Sequence, residues 1–265
     1  MNFPSLQGLN VLVTRPVLQQ QSLGEAIKSL GGKAIHFPLI DIVQLAKTED
    51  IKYLENKVRA IDDYQILIFV SANAAQFSKE WFTNCAVKIP EIIKVIAIGP
   101  TTARAVSDLF GCTVIHSDVG VTSEDLLSLP ELEEIAGKQI GILRGKGGRE
   151  LLAAELRERG AVVDYFEVYR RKIHAYGPRE LIDIVNRKQV NAFTITSGEA
   201  LVQLSELAVD NKATLSLIPL VVPSARLADQ AEKLGYKIVR NSNGADDASM
   251  LATLRDIASD DVRRN

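Results

Sequence analysis

Six segments of the sequence place small or hydroxyl residues where an apolar run gives way to an amphipathic stretch. They are residues 14–16, 70–73, 99–102, 144–149, 196–198 and 223–224. The start of a helix offers unpaired N–H groups and a partial positive charge, so such a turn is suited to binding an anion. In two of the six, arginine follows the apolar run directly and adds a full positive charge.

Each hydroxyl taken alone is also explained by helix N-capping, in which a serine or threonine oxygen accepts a hydrogen bond from the first turn. Six such turns in one chain favour a shared binding site over six unrelated caps. The candidate binding residues are Arg15, Ser71, Asn73, Gly99, Thr101, Thr102, Arg144, Gly145, Lys146, Gly148, Arg149, Thr196, Ser197, Gly198 and Ser224.

A nucleotide phosphate is one anion that these turns could bind. The segment RGKGGRE at 144–150 is rich in glycine and positive charge, but it matches neither GxxxxGK[ST] nor GxGxxG. The end of a second strand also lacks an acidic residue for a ribose, since His36-Phe37 and Tyr165-Phe166 occupy those positions. The sequence therefore disfavours a nucleotide.

Metal and nucleophile chemistry find little support in the residue pattern. His36, His116 and His174 are scattered, without carboxylate or cysteine partners at ligand spacing. The chain has no GxSxG elbow. The remaining proton-active candidate is Tyr169, for which the alternative role is packing between two domains.

Composition excludes several classes of protein. With 265 residues, 46% of them hydrophobic, the chain has material for roughly two domains. A formal net charge of −2 argues against a dedicated nucleic-acid or membrane surface. Cys85 and Cys112 lack metal spacing and are expected to be free thiols of a reducing compartment. Because neither a signal peptide nor an apolar run of about 20 residues is evident, we expect a cytoplasmic protein.

Short Val- and Ile-rich runs alternate with amphipathic stretches and must position the six turns. Continuous apolar runs are typical of parallel strands covered by helices on both faces, so the predicted fold class is α/β. Gly31, Gly111, Gly160 and Gly235 are placed to end helices in the left-handed conformation. The predicted strands are 10–14, 33–37, 65–70, 94–98, 113–116, 139–143, 162–166, 192–196, 217–222 and 237–240.

The order of these segments repeats along the chain. VLVTRP at 11–16 matches IGILRG at 140–145, and IFVSANA at 68–74 matches TITSGEA at 194–200. Five strands in each half is the size of one flavodoxin-like sheet. The extended segments 37–42 and 165–171 occupy matching places in the two halves. We interpret them as paired connections between two domains.

The sequence resembles the uroporphyrinogen-III synthase family along essentially its whole length. The resemblance is carried by VLVTRP, HFPLI, FVSANA, AIGPTTA, the stretch from IAGKQIGILRGKGGREL to FEVYRR, and the TSGEAL turn. It implies two flavodoxin-like parallel-sheet domains joined by a two-stranded β ladder, with the active site in the cleft between them. The implied domains are 1–40 plus 172–265, which is discontinuous, and 41–171. Each domain then takes its first βαβ unit from the opposite half of the repeat.

The resemblance implies a lyase of heme biosynthesis that needs no cofactor. Such an enzyme cyclises hydroxymethylbilane to uroporphyrinogen III, inverting ring D through a spirocyclic intermediate and releasing water. The substrate is a linear tetrapyrrole rich in carboxylates, so the anion expected at the turns is a carboxylate. Tyr169 aligns with the tyrosine of the family's connector motif and is the expected general acid.

The resemblance also implies that no metal is used. A monomer is the default expectation for the oligomeric state, and the charge balance predicts neither a nucleic-acid partner nor a membrane partner. The resemblance allows a transient contact with the preceding enzyme of the pathway. The alternative is a two-lobed protein that binds an anionic small molecule and performs no chemistry on it.

Overall fold

The structure is a computed structural model that describes residues 5–117, 120, 122–148, 150–177 and 179–264. The prediction for Arg149 therefore lies outside the described residues. The chain divides into two compact units. Unit 1 comprises Met1–Asp41 with Lys172–Asn265, and unit 2 comprises Ile42–Arg171.

Strands and helices alternate along most of the chain. The strands are β1 (Asn10–Val13), β2 (Lys33–His36), β3 (Ile40–Val43), β4 (Ile66–Phe69), β5 (Lys94–Ala97), β6 (Ile115–His116), β7 (Gln139–Gly145), β8 (Val162–Ile173), β9 (Ala192–Thr194), β10 (Leu220–Val222) and β11 (Val239–Asn241). The helices are α1 (Val17–Ser29), α2 (Thr48–Arg59), α3 (Ala72–Asn84), α4 (Pro100–Phe110), α5 (Ser123–Leu127), α6 (Leu151–Glu158), α7 (Glu180–Lys188), α8 (Gly198–Leu207), α9 (Lys212–Leu215), α10 (Ala225–Lys233) and α11 (Asp247–Arg264). Short 3-10 turns cover Ile61–Asp63, Pro130–Leu132 and Val209–Asn211.

In the described part of unit 1, five strands form a parallel sheet in the order β2-β1-β9-β10-β11. This is the flavodoxin-like order, in which the chain starts near the middle of the sheet and reverses direction beside its first strand. The strands are apolar on both faces because helices cover both. Leu23 of α1 and Leu254 of α11 pack on one face, and Leu201 of α8 and Leu227 of α10 pack on the other.

In the described part of unit 2, six strands form a sheet in the order β3-β8-β7-β4-β5-β6. The pairs that join β8 through β6 are parallel. The series β8-β7-β4-β5-β6 has the same arrangement as β2-β1-β9-β10-β11 of unit 1. In it β7 and β8 take the places of β1 and β2, although β7 and β8 come last in the sequence of unit 2. Helices α3 and α4 pack against each other, as do α5 and α6, and the two pairs belong to separate apolar clusters.

The predicted α/β class with two parallel sheets is confirmed. The predicted strand 162–166 and the predicted connection 165–171 form the single strand β8, and residues 40–42 of the other connection belong to β3. The divisions between the units fall inside these two strands. The strand predicted from residue 217 begins instead at Leu220, because Leu217 is exposed and ends a turn.

The predicted helix-ending glycines are also confirmed. Gly31, Gly111, Gly160 and Gly235 have φ angles of +83°, +67°, +84° and +97°. An L side chain adopts this region rarely, which is the reason that glycine serves there. Among the described residues, no helix is both long and apolar enough to cross a membrane.

Candidate functional site

A cavity of about 460 Å³ opens at the carboxyl edge of the unit 2 sheet. It lies where β7 and β4 are neighbours, and the helices that follow these strands, α6 and α3, belong to different apolar clusters. Ligands of open α/β sheets bind at such a switch point, where two connections diverge from adjacent strands. Polar residues and glycine line much of it: Ser71, Thr122, Arg144, Gly145, Tyr165 and Tyr169.

Tyr169 is fixed in this cavity by an irregularity in β8. The pairing of β7 with β8 shifts between Arg144 and Gly145, so that Gly145 stands opposite Tyr169. A Cβ on Gly145 would overlap the Tyr169 ring, so the close approach of strand and ring requires glycine. The ring of Phe77 packs at 5.4 Å between centroids. Tyr169 is therefore buried and held in a defined position.

The Tyr169 hydroxyl points to the beginning of α3. Its oxygen lies 3.5 Å from Ser71 Oγ, which also accepts a 3.0 Å hydrogen bond from the amide of Ala74. Ser71 is thus the N-cap of α3, as the capping alternative proposed. Asn73 lies in the first turn of the same helix and is half-buried. A hydroxyl donor and a helix N-terminus consequently share one corner of the cavity.

Arg144 supplies a buried positive charge to the same cavity. Its Cζ lies 4.3 Å from the centroid of the Tyr165 ring, and its Nε donates to the carbonyl oxygen of Gly145 at 3.3 Å. Gly148 passes so close that a Cβ there would lie 2.8 Å from Arg144 Nη2. The guanidinium also donates to Glu150 Oε1 at 3.3 Å. Stacking on an aromatic face and forked donation are properties of arginine that lysine does not share.

The turn after β7 is hydrogen-bonded to β8, so it offers a ligand fewer N–H donors than its sequence suggests. The amide of Lys146 donates to the carbonyl oxygen of Tyr169 at 2.8 Å, and that of Gly147 donates to Glu167 Oε1 at 3.1 Å. Lys146 is exposed, and its Nζ pairs with Asp50 at 2.6 Å. Within the described residues of this turn, the cation that lines the cavity is Arg144.

The third predicted turn of unit 2 precedes α4. Gly99 is the N-cap of the helix in extended conformation, without a side-chain cap. Thr101 is exposed and Thr102 is buried. The adjoining residue Ile98 lines the cavity, so this turn borders the site without placing either threonine among the lining residues.

In unit 1 the predicted residues lie at the carboxyl edge of the other sheet. Ser197 and Ser224 are N-caps of α8 and α10, accepting from the amides of Ala200 at 3.1 Å and Leu227 at 3.4 Å. The remaining members of this group, Thr196 and Gly198, are half-buried beside Ser197.

Arg15 serves unit 1 in a way that its sequence position did not indicate. Its Nη1 forms an ion pair with Asp247, and its Nη2 donates to the carbonyl oxygen of Ala245 at 2.6 Å. Ser22 of α1 donates to the same carboxylate. The side chain predicted to bind a ligand thus connects the end of β1 to the start of α11.

Several residues of the unit 2 site were missed from the sequence, among them the polar cavity residues Ser123, Glu124 and Arg171. Tyr165 stacks on Arg144, Glu150 accepts from both Arg144 and Tyr165, and Thr122 is both the N-cap of α5 and a cavity residue. The signal for Thr122 was available, because TSEDLL at 122–127 has a helix-start pattern of its own. The described residues include no group of three or more His, Cys, Asp or Glu that could hold a metal ion.

The ion pair of Arg15 with Asp247 is predicted to stabilise unit 1. A double-mutant cycle with Arg15→Gln and Asp247→Asn should give a coupling energy of about 1–3 kcal/mol, because the side chains are only 8% and 28% exposed. Urea unfolding followed by circular dichroism measures it. The matched control is Lys28 with Glu25, 53% and 65% exposed, for which less than about 0.5 kcal/mol is expected. A coupling energy near zero for the first pair would contradict the structural role of Arg15.

Comparison with known proteins supports the resemblance found in the sequence. The sequence profile of the family described as uroporphyrinogen-III synthase HemD matches residues 21–252. Uroporphyrinogen-III synthase of Escherichia coli K12 is 35% identical over 250 residues, covering 93% of this chain and 100% of that protein. The enzyme of Salmonella typhimurium LT2 is 32% identical over 249 residues, covering 93% and 100%.

Solved structures show the same fold. A mutant uroporphyrinogen III synthase from the extremely thermophilic bacterium Thermus thermophilus superposes with a TM-score of 0.65 at 19% identity, covering 96% of this chain and 100% of that chain. Uroporphyrinogen-III synthetase from Helicobacter pylori 26695 gives a TM-score of 0.59 at 13% identity, covering 94% and 99%. The resemblance is confirmed by the profile and by the relatives of known sequence, which extend over nearly the whole chain. This chain belongs to the uroporphyrinogen-III synthase family.

Proposed function

We propose that this chain converts hydroxymethylbilane into uroporphyrinogen III, with ring D inverted and water released. Family membership supplies the reaction. The observation that carries the proposal is the cavity at the β7–β4 switch point, where buried Arg144 and Tyr169 lie among glycines and a helix N-terminus. A carboxylate-rich substrate needs such a cation, and a leaving hydroxyl group needs a proton donor.

In this proposal Arg144 binds one substrate carboxylate and Ser71 helps to orient the group next to it. A hydrogen bond to a charged group contributes about 1.5–3 kcal/mol, and a helix terminus about 0.3–1 kcal/mol toward an anion. Several such contacts suffice to hold a flexible bilane in one conformation. Holding the reacting rings in place is the main catalytic task, because the bilane closes spontaneously to the type I isomer without the enzyme.

Tyr169 is the proposed general acid for the first step. Its hydroxyl would protonate the departing ring A hydroxyl group, so that the C–O bond breaks, water leaves and an azafulvenium cation remains. The substituted carbon of ring D then attacks this cation to give the spirocyclic intermediate, which fragments and closes with ring D inverted. The support for this role is the fixed position of the Tyr169 ring between Gly145 and Phe77.

The domain bounds implied by the resemblance, residues 1–40 plus 172–265 and residues 41–171, remain part of the proposal. The turns at Thr196–Gly198 and Ser224 would contribute from the first domain, since they lie at the carboxyl edge of its sheet. The monomeric state, the cytoplasmic location and a transient contact with the preceding enzyme of the pathway remain predictions. The alternative, a protein that only binds an anionic small molecule, is not favoured because the matching relatives are synthases.

The isomer that forms from hydroxymethylbilane distinguishes the enzyme from a binder. With the purified chain, uroporphyrinogen III should be the main product, since the protein must position ring D for inversion before spontaneous closure occurs. Oxidation of the product and chromatography of the porphyrin isomers measure the ratio of type III to type I. Reactions without protein serve as the control. Only type I in both reactions would refute the proposed function.

Tyr169→Phe is predicted to lower kcat at least about tenfold, because a positioned general acid contributes about 10²–10⁴ in rate. The substitution keeps the ring and its packing against Phe77 and Gly145, so the thermal unfolding midpoint should change little. The matched control is Tyr53→Phe, which removes a hydroxyl from an exposed residue of α2 in the same unit. A turnover for Tyr169→Phe equal to that of the control would exclude the acid role.

A further inference from the structure

Glu150 joins two residues of the cavity wall although it does not line the cavity itself. One carboxylate oxygen accepts from Arg144 Nη1 at 3.3 Å, and the other accepts from the Tyr165 hydroxyl. The Glu150 side chain is 66% exposed, whereas that of Arg144 is 4% exposed. The pair therefore combines a fixed, buried cation with a carboxylate that water reaches.

Contacts other than that with Glu150 also hold Arg144. Its Cζ lies over the Tyr165 ring, its Nε donates to the carbonyl oxygen of Gly145, and Gly148 lies close to its Nη2. Burying a charge without a counter-ion is costly, so an anion must nonetheless lie beside this guanidinium. The Glu150 carboxylate is one such anion.

Glu150 is free to leave this arrangement at small cost. It precedes α6 as the N-cap residue in a helical conformation, but its side chain makes no capping hydrogen bond to the described residues of that helix. An ion pair with so exposed a carboxylate contributes little to stability. The hydrogen bond from Tyr165 and the charge of Arg144 lower the pKa of Glu150, while burial raises the pKa of Tyr165, so the carboxylate is ionised and the phenol is its donor.

Resting on the proposed function, we infer that Glu150 is an internal carboxylate that occupies Arg144 until a substrate carboxylate replaces it. In the exchange the Arg144–Glu150 hydrogen bond breaks, a hydrogen bond from Arg144 to the substrate forms, and Glu150 turns to solvent. No covalent bond or proton is transferred. Glu150 is therefore a positioning residue that acts on the ligand through Arg144.

This exchange favours ligands with many carboxylates. A simple carboxylate such as acetate gains about as much binding free energy at Arg144 as is lost when Glu150 is displaced, so it binds poorly. A ligand held by other turns of the site brings its carboxylate to Arg144 at a high effective concentration and displaces Glu150 readily. The inferred role of Glu150 is thus to discriminate against small anions.

The ion pair of Arg15 with Asp247 is an example, in the same chain, of a pair whose two partners are both held by the fold. There the carboxylate is half-buried, also accepts from Ser22, and begins α11, while the guanidinium donates to a backbone carbonyl oxygen. Glu150 shares with Asp247 a hydroxyl donor, here that of Tyr165, but its carboxylate is mostly exposed to water. This difference marks Arg144 as the arginine whose partner can be exchanged.

Glu150→Gln tests the exchange because it keeps the size of the side chain and removes the competing charge. The KM for hydroxymethylbilane should fall about two- to fivefold with kcat unchanged, which is the range of an exposed ion pair. Acetate should inhibit the variant at lower concentrations than it inhibits the wild type. The matched control is Glu155→Gln, on the adjoining helix α6 and paired with Arg159, for which neither quantity should change.

Two substitutions of Tyr165 distinguish the loss of its hydrogen bond to Glu150 from a general destabilisation of the site. Tyr165→Phe keeps the ring over Arg144 and removes the donor to Glu150, so KM should fall as in Glu150→Gln. Tyr165→Leu removes the stacking ring, so KM should rise. Opposite signs support the inference, whereas a rise in KM for both variants would overturn it.

A binding measurement that needs no turnover keeps this inference separate from the proposed function. Acetate titrations followed by the Arg144 Nε–Hε NMR signal, assigned with Arg144→Lys, should show tighter binding in Glu150→Gln than in the wild type. Equal acetate affinity and equal KM would overturn the exchange even if the wild type forms the type III isomer. Formation of only the type I isomer would refute the proposed function, and the acetate titration would still decide the exchange.

Discussion

The parallel pairing of β7 with both β8 and β4 is the interaction on which the unit 2 site depends. β7 is an interior strand of its sheet, yet it follows β4, β5 and β6 in the sequence, so it inserts between β8 and β4. This insertion creates a switch point that an uninterrupted order of strands would lack. It also sets Arg144 and Gly145 between Ser71 on one neighbouring strand end and Tyr169 on the other. A shift of β7 by one residue would turn the Arg144 side chain to the opposite face.

Arg15, which follows β1, and Arg144, near the end of β7, have different environments although they occupy matching places in the sequence repeat. Arg15 is bound into its own unit by a half-buried carboxylate that begins a long helix. Arg144 is held in position by an aromatic face and by glycines, while the Glu150 carboxylate beside it is mostly exposed to water. A fixed cation whose counter-ion is mostly exposed to water is suited to exchange that counter-ion for a ligand, whereas the less exposed Asp247 ties Arg15 to the start of α11.

Much of the fold was predictable because its signals are local. Continuous apolar runs indicated parallel strands, glycines after amphipathic stretches indicated helix ends, and the repeat indicated two sheets. The positions of Ser71, Arg144 and Gly145 followed from the rule that ligands bind at carboxyl ends of strands, whereas Tyr169 was singled out by its place on a connecting segment and by the family resemblance. The pairing of Arg15 with Asp247 was not predictable, because it joins residues far apart in sequence through the docking of α11. The stacking of Tyr165 on Arg144 and the shift in register at Gly145 also depend on how two strands align, which no single segment encodes.

A crystal structure of the chain with bound uroporphyrinogen III would show which protein atoms contact the tetrapyrrole. We expect a product carboxylate oxygen within about 3 Å of an Arg144 Nη atom, and the Tyr169 hydroxyl facing the macrocycle. A product whose carboxylates are bound entirely by other residues, with Arg144 still paired to Glu150 and Tyr169 remote from the ring system, would contradict this expectation.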